Sequence, residues 1–210
     1  MKIAVIGATG WIGSTLVAEA TSRGHSVIAI ARDTAKLGAN GLDNRPLDLS
    51  TGDLAAAVAG ADVVIASIGG RAAGNHDIVT AAAQRLLDEL PTLGIRRLLW
   101  VGGAGSLEVA PGVILLSLPQ FPEAYKAEAT AQGQALALFR ASNSVLNWTF
   151  ISPAAEIYPG ARSGQYRIGG NSLLSDSDGN SRISVQDYAV AMIDEAEKGA
   201  YPQQRIGVAY

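Results

Sequence analysis

The sequence contains no cysteine and only two histidines among its 210 residues. The lack of cysteine excludes a disulfide framework, a thiol nucleophile and a thiolate metal site. Because His25 and His76 lie far apart in the sequence, a zinc site is not expected either. The net charge of −3 offers no electrostatic footprint for nucleic acid or an anionic membrane. No apolar run reaches the roughly 18 residues typical of a membrane span, so no transmembrane helix is expected.

The chain is instead apolar and rich in glycine. Hydrophobic residues make up 48% of it, charged residues 17%, and there are 24 glycines. This balance is typical of strands buried on both faces, as in a parallel sheet, and excludes a disordered chain. Lys2 and the apolar residues after it resemble the start of a signal peptide. However, glycines interrupt that run and no cleavage pattern follows, so we expect a soluble cytoplasmic protein.

Short runs rich in Val and Ile alternate with longer amphipathic stretches. The runs predict strands at 3–6, 26–31, 62–67, 97–101 and 148–152. The stretches predict helices near 11–23, 51–59, 75–93 and 123–142. Asn75 is a candidate N-cap for the third helix, and Pro91 with Gly94 predicts its end. The alternation predicts an α/β fold with a doubly wound parallel sheet between two layers of helices, a Rossmann-like arrangement.

The pattern changes after Pro153. Glycine and serine become frequent between Gly160 and Ser181, and Ser184 to Asp187 has the spacing of a capping box that opens a final helix to about Lys198. We expect a single domain spanning 1–210. Within it, 1–152 would form the Rossmann core and 153–210 a C-terminal elaboration covering the substrate side.

Three glycines follow the first predicted strand with the spacing G-x-x-G-x-x-G, at Gly7, Gly10 and Gly13. A pyrophosphate needs backbone N–H groups and a helix N-terminus aimed at it, without side chains in the way. The commoner G-x-G-x-x-G fingerprint is met only in part, and an ordinary glycine-rich turn is the alternative. The position at the first βα turn favours nucleotide binding. The expected cofactor contacts are Gly7, Thr9, Gly10, Trp11, Ile12 and Gly13, although packing of Trp11 against neighbouring structure is favoured over stacking on substrate.

Arg32 stands at the end of the second predicted strand, with Lys36 about one turn further on. At this place many NAD-binding proteins have a carboxylate for the ribose 2′-hydroxyl, whereas an arginine accommodates a 2′-phosphate. Arg32 therefore predicts NADP(H) in preference to NAD(H), the alternative being a solvated charge. Asp33 could contact a ribose, but capping of the short helix beginning at Thr34 is favoured.

Motifs along most of the chain resemble the NmrA-like, atypical branch of the short-chain dehydrogenase/reductase superfamily. They resemble more narrowly the bacterial proteins provisionally described as NADH-flavin reductases. The motifs are the Gly7–Gly10 loop, Leu47-Asp48-Leu49, Gly60–Ile65 leading to Ser67-Ile68-Gly69, Val101–Gly105, Trp148–Ala154 and Ile183–Ala189.

This resemblance implies further cofactor contacts. Asp48 would accept a hydrogen bond from the adenine amino group beside the Leu49 backbone, the alternative being a loop or cap residue before Ser50. The other implied contacts are Ser67, Ile68 and Gly69 at the ribose and diphosphate, Gly102, Gly103 and Ala104 at the nicotinamide, and Pro153 with Ala154 at its carboxamide. Close packing is the alternative for the glycines after Val101.

Most members of the superfamily use a Tyr-x-x-x-Lys pair on a helix, in which the lysine supports a tyrosine acid. No such pair exists here: Ala129 stands four residues after Tyr125, and counting back from Ser152 places the two positions near Thr130 and Gln134. Tyr125 and Lys126 are the candidate catalytic residues, the alternative being a surface pair at a helix start. His25 is expected to be solvated. His76 opens a helix near the mouth of the pocket, where a surface role at the helix start is favoured and catalytic protonation is the alternative.

The missing acid favours an acceptor that needs no positioned proton donor. Hydride transfer to a flavin or quinone can take its proton from solvent, and the apolar segment Pro111–Pro122 suits a cover for such a planar acceptor, a buried strand or turn being the alternative. We expect an NADPH-dependent reductase, monomeric or homodimeric, with no direct nucleic-acid or membrane partner. The alternatives are a non-catalytic NAD(P)-sensing regulator of the NmrA-like kind and a sugar-nucleotide epimerase or dehydratase.

Overall fold

The structure is a computed structural model that describes residues 1–39 and 41–210. Its helices are α1 (Trp11–Ser22), α2 (Leu54–Val58), α3 (Asp77–Thr92), α4 (Glu123–Ala141) and α5 (Val185–Lys198). The strands of its main sheet are β1 (Lys2–Ile6), β2 (Ser26–Ala31), β3 (Asp43–Pro46), β4 (Val63–Ala66), β5 (Arg97–Val101), β8 (Asn147–Ser152), β10 (Arg167–Gly169) and β12 (Gln204–Ala209). Two small sheets contain β6 (Glu108–Ala110) with β7 (Val113–Ile114), and β9 (Glu156–Tyr158) with β11 (Arg182–Ser184).

The main sheet has the order β10-β12-β8-β5-β4-β1-β2-β3. All its strands are parallel except β10, which pairs antiparallel to β12 at one edge. Side chains of α2, α3 and α4 bury one face, and side chains of α1 and α5 bury the other. The predicted doubly wound sheet is therefore confirmed. The strand order reverses between β1 and β4, and ligands of such sheets bind beyond the carboxyl ends of the strands at this point.

The five strands predicted from apolar runs all form, because the sheet buries them on both faces. The runs did not predict β12, in which Gly207 and the buried Arg205 interrupt the apolar pattern. The segment 153–210 thus supplies a parallel strand and helix α5 to the main sheet and its helical layer. We also expect part of this segment to cover the substrate side, and this stays a prediction.

Helix starts follow side-chain caps where these exist. Asp33 and Ser184 cap as predicted, accepting hydrogen bonds from the backbone N–H groups of Ala35 and Asp187. Asn75 as the cap of α3 was wrong: His76 holds the N-cap position, and the Asn75 N–H bonds Gly70 in the preceding turn. No helix in the described ranges combines the length and apolar character that a membrane crossing requires.

A buried ion pair joins α5 to the sheet. Arg97 Nη2 lies 2.5 Å from Glu195 Oε1, and the side chain of Glu195 is only 4% exposed. The same carboxylate accepts hydrogen bonds from Thr149 Oγ1 and from the backbone N–H groups of Ala200 and Tyr201. Burial lowers the pKa of Arg97, and the negative charge of Glu195 opposes that shift. Glu195 therefore satisfies four donors that have little access to water.

Replacement of Glu195 by alanine should destabilise the protein strongly, because it leaves Arg97 buried without its counter-charge. We expect a loss of about 3–5 kcal/mol in the free energy of unfolding, measured by urea denaturation followed through tryptophan fluorescence. The matched control is Glu156→Ala, which breaks the exposed pair with Arg182 and should cost less than about 1 kcal/mol. Equal losses in the two variants would contradict this role of Glu195.

Candidate functional site

The turn between β1 and α1 is pressed against the end of β4. Gly7 has φ +84°, and a Cβ placed on it would lie 2.2 Å from the carbonyl oxygen of Ser67. A Cβ on Gly13 would lie 2.1 Å from the carbonyl oxygen of Gly7. Neither position can hold a side chain in this geometry, so these two glycines shape the loop and bring α1 against β1.

Gly10 has a different role, because it is less crowded than the other two glycines. It is exposed at the N-cap of α1, and the nearest atom to a Cβ built there is the Gly7 carbonyl oxygen at 3.3 Å. Because Gly10 has no side chain, no side-chain hydrogen bond caps the start of α1, and the first turn of the helix carries no acidic residue. The free N–H groups of this helix start therefore fit a pyrophosphate. Thr9 and Trp11 are exposed beside them; Trp11 is 48% exposed, so the favoured packing role was wrong.

Arg32 is exposed just beyond β2 and makes no hydrogen bond or ion pair within the described part of the chain. Asp33 caps the following 3₁₀ helix, Thr34–Leu37, and its other carboxylate oxygen lies 4.0 Å from Lys36 Nζ. Arg32 is therefore available to an anionic ligand, and the exposed Lys36 stands close by.

Asp48 is exposed and folds its own loop. Its Oδ1 accepts a hydrogen bond from the Ser50 N–H at 2.7 Å, so the loop-capping alternative describes what this oxygen does. Ser67 and Ile68 are partly buried and Gly69 is exposed at the end of β4, next to the glycine loop. The Leu49 carbonyl accepts from Arg85 at 2.8 Å, which fixes this loop against α3.

The ends of β5 and β8 are closely packed. A Cβ on Gly102 would lie 2.2 Å from the ring of Phe150, so close packing explains this glycine. Ile12 and Gly103 are partly exposed, whereas Pro153 and Ala154 are buried. The fully buried Tyr188 donates a hydrogen bond to the Ile151 carbonyl at 2.7 Å, and burial raises its pKa. This tyrosine therefore remains neutral and supports the end of the strand.

Tyr125 and Lys126 lie at the start of α4 and make separate contacts. The Tyr125 ring is 49% exposed and lies 4.9 Å from the guanidinium carbon of Arg71. Lys126 pairs with the exposed Glu123 at 2.7 Å and so does not support the tyrosine hydroxyl. The arrangement is that of a surface pair at a helix start.

The face of α4 that meets the strand ends carries Glu128 and Gln132, whereas Thr130 and Gln134 are exposed. Gln132 is buried, accepts from Trp100 Nε1 at 2.9 Å and donates to the Ile68 carbonyl at 3.0 Å. Thr130 and Gln134, near which the count from Ser152 places the tyrosine and lysine positions, are therefore not on this face. The i, i+4 spacing of the two polar residues was the available signal.

The two histidines are both engaged with carboxylates. His76 Nδ1 lies 2.9 Å from Glu128, and His25 Nε2 lies 2.8 Å from Glu197. The side chain of His25 is only 13% exposed, so its expected solvated role was wrong. Within the described ranges, no group of three or more potential metal ligands comes together.

The segment Pro111–Pro122 forms the end of the β6–β7 hairpin and a 3₁₀ helix, Leu115–Ser117. Its apolar residues are partly or fully exposed rather than buried, so the alternative of a buried strand was wrong. A cleft of about 550 Å³ lies between this hairpin and α4, lined by residues that include Ile114, Leu136 and Arg205. None of the glycine-loop residues lines it.

Known proteins resemble this chain over its whole length. A family model described as NAD(P)H-binding matches residues 7–196. A solved structure from Burkholderia pseudomallei, provisionally described as an exported protein, is 43% identical with a TM-score of 0.89 over 100% of both chains. One from Bacteroides thetaiotaomicron, provisionally described as an epimerase, is 36% identical with a TM-score of 0.90, covering 100% of this chain and 96% of that one. A third, from Streptococcus pneumoniae TIGR4 and provisionally described as an NADH-flavin reductase, is 35% identical with a TM-score of 0.83, covering 100% and 99%.

The family match begins at Gly7, the first residue of the Gly7–Gly13 segment that leads from β1 into α1, which we call the glycine cradle. It extends into α5, so it includes helices from both faces of the sheet. The similar structures agree with a mostly parallel sheet flanked by helices, which confirms the Rossmann-like fold. The chain therefore belongs to the NAD(P)H-binding family.

Proposed function

We propose that this protein is an NADPH-dependent reductase that passes hydride to a flavin, a quinone or a similar planar acceptor. The observation that carries the proposal is the pairing of an open glycine cradle with an α4 that lacks a tyrosine acid supported by lysine. The description of the Streptococcus pneumoniae relative supports a flavin as acceptor. We place the protein in the cytoplasm, as a monomer or homodimer in which 1–210 acts as one domain.

The residues of the cradle fit a dinucleotide. Gly10 and the N-terminus of α1 would hold the pyrophosphate, and Arg32 would pair with the 2′-phosphate. The free oxygen of Asp48 would meet the adenine, with the β4 loop at the ribose. Gly103, Pro153 and Ala154 would border the nicotinamide. NADPH, when bound, supplies the hydride, and the protein supplies orientation and exclusion of water.

Planar acceptors suit a site that provides no conventional acid. A flavin or quinone accepts hydride into an electron-poor ring and can take its proton from solvent. Tyr125, exposed beneath Arg71, would offer a flat apolar surface at the mouth of the site, with Lys126 beside it. Contact of these two residues with the acceptor stays a prediction.

Purified protein should oxidise NADPH in the presence of FMN or menadione, followed by the loss of nicotinamide absorbance. The control is the same reaction without acceptor, which should be slow. NADPH binding by calorimetry with no turnover of either acceptor would contradict the reductase proposal. That result would favour the redox-sensing alternative.

Gly10→Ala and Gly13→Ala should separate cofactor binding from folding. At Gly10 the new methyl meets only one protein atom, at 3.3 Å, but it stands where a pyrophosphate would approach. We therefore expect NADPH binding to weaken at least about tenfold, which corresponds to about 1.4 kcal/mol. The melting temperature should be nearly unchanged. At Gly13 the methyl collides with backbone at 2.1 Å, and stability should fall by about 1–3 kcal/mol. Unchanged NADPH affinity in Gly10→Ala would contradict the cradle.

Arg32→Ala should weaken NADPH binding about ten- to hundredfold and leave NADH binding almost unchanged, because a charge-assisted hydrogen bond to phosphate contributes about 1.5–3 kcal/mol. Calorimetric titration with both cofactors measures this difference. Arg96→Ala is the matched control, since it removes the same charge from an exposed site just before β5, at the opposite end of the strands. Equal weakening of both cofactors in Arg32→Ala would defeat the 2′-phosphate assignment.

A further inference from the structure

The carboxylate of Glu128, on α4, joins this helix to the loop after β4 and to the start of α3, beyond the carboxyl ends of the central strands. Its Oε2 accepts a hydrogen bond from the Gly70 N–H at 2.9 Å and lies 2.9 Å from His76 Nδ1. Its Oε1 accepts from Gln132 Nε2 at 3.3 Å. The side chain of Glu128 is 20% exposed and that of His76 is 27% exposed. The cluster is therefore ordered by hydrogen bonds but remains open to a ligand.

This cluster lies over the carboxyl ends of β4 and β5. A Cβ on Gly69 would be 3.2 Å from Glu128 Oε1, and a Cβ on Gly103 would be 3.2 Å from Gln132 Cβ. Gly69 stands three residues after the end of β4 and Gly103 two residues after the end of β5, and ligands of such sheets bind beyond the carboxyl ends of these strands. Glu128 and Gln132 thus bring polar groups to the place where an acceptor would meet the cofactor.

His76 is held by one nitrogen only. Nδ1 lies against Glu128, whereas Nε2 has no hydrogen-bond partner within the described ranges. A carboxylate that accepts a hydrogen bond from Nδ1–H fixes the tautomer and the ring orientation, and it leaves Nε2 free to exchange a proton with a ligand. In the imidazolium form both nitrogens carry protons, so Nε2–H can be given up while Nδ1–H stays with Glu128.

We propose that His76 donates a proton from Nε2 to the oxygen of the acceptor, with Glu128 as its positioning residue, and that the protein therefore also reduces carbonyl compounds such as α-dicarbonyls. This inference rests on the proposed reductase function and extends its range of substrates. It assigns to two residues, far apart in sequence, the role that a tyrosine acid has in other members of the superfamily.

The carbonyl carbon of the acceptor gains a hydride, and the electron pair of its C=O π bond moves to the oxygen. That oxygen takes the proton from His76 Nε2 and becomes a hydroxyl, which leaves a neutral imidazole hydrogen-bonded to Glu128. The imidazole then recovers a proton from solvent. The hydride source is NADPH, which leaves as NADP⁺.

The first test compares diacetyl, which requires protonation at oxygen, with FMN, which can take its proton from solvent. His76→Gln should lower kcat/KM for diacetyl about a hundredfold or more, and it should lower kcat/KM for FMN far less, because reduced FMN can take its proton from solvent. The matched control is His25→Gln, which removes the other histidine–glutamate pair. His25 precedes β2 and so lies at the opposite end of the strands from the candidate site, and its replacement should leave both reactions unchanged. A wild-type melting temperature establishes that each variant is folded.

The failures of the two proposals are distinguishable. Wild-type protein that reduces FMN but not diacetyl overturns the role of His76 and leaves the reductase function standing. Wild-type protein that reduces none of diacetyl, FMN and menadione overturns both. Full diacetyl activity in His76→Gln overturns the role of His76 alone.

A second test does not depend on activity. Because the chain has only two histidines, protein labelled with ¹⁵N-histidine gives two sets of imidazole signals, which the two glutamine variants assign. Addition of NADP⁺ with diacetyl should shift the His76 signals and leave those of His25 in place. Unmoved His76 signals overturn the proposal.

The same spectra test Glu128 as a positioning residue. Glu128→Ala should change the Nδ1 signal of His76 and lower diacetyl reduction, because the imidazole ring loses the carboxylate that accepts its hydrogen bond and orients it. Glu128→Gln keeps an oxygen that can accept from Nδ1 and should restore part of both. A wild-type Nδ1 signal in Glu128→Ala would refute this positioning role.

Discussion

The candidate site depends on one close approach of backbone to backbone. The carbonyl oxygen of Ser67, at the end of β4, lies where any side chain on Gly7 would begin, and the Gly7 carbonyl excludes a side chain at Gly13 in the same way. This contact holds the β1–α1 turn at the reversal of the strand order. As a result, the positive end of the α1 dipole faces the crevice, and the loops after β4 and β5 become its walls.

These steric constraints are local, which is why the sequence predicted this part of the structure. Three glycines at a fixed spacing after an apolar run indicate a strand, a tight turn and a helix, and each is present. The central strands were equally predictable because burial on both faces leaves them almost entirely apolar. Strand β12 carries Arg205 and Gly207 and forms through its pairing with β8, a contact that no local pattern encodes.

The inner face of α4 could not be predicted for a similar reason. Counting back from Ser152 requires the length of the connection between α4 and β8, which the apolar pattern does not determine. Burial in the folded chain decides the face: Gln132 turns inward because Trp100 and Ile68 provide its hydrogen-bond partners. The pairing of His76 with Glu128 likewise depends on the approach of α4 to the turn before α3.

Hydrogen-bond polarity then limits what each group of the α4 cluster can do. An ionised carboxylate only accepts hydrogen bonds, and Glu128 has donors directed at both of its oxygens, so it is placed to orient rather than to give a proton. Gln132 has no titratable proton and is occupied by Trp100 and Ile68. Within this cluster only the imidazole of His76 can carry a proton to a ligand. In the proposed reaction the glycine cradle would bind the cofactor in the same way for any acceptor, so α4 and this imidazole would determine which acceptors are reduced.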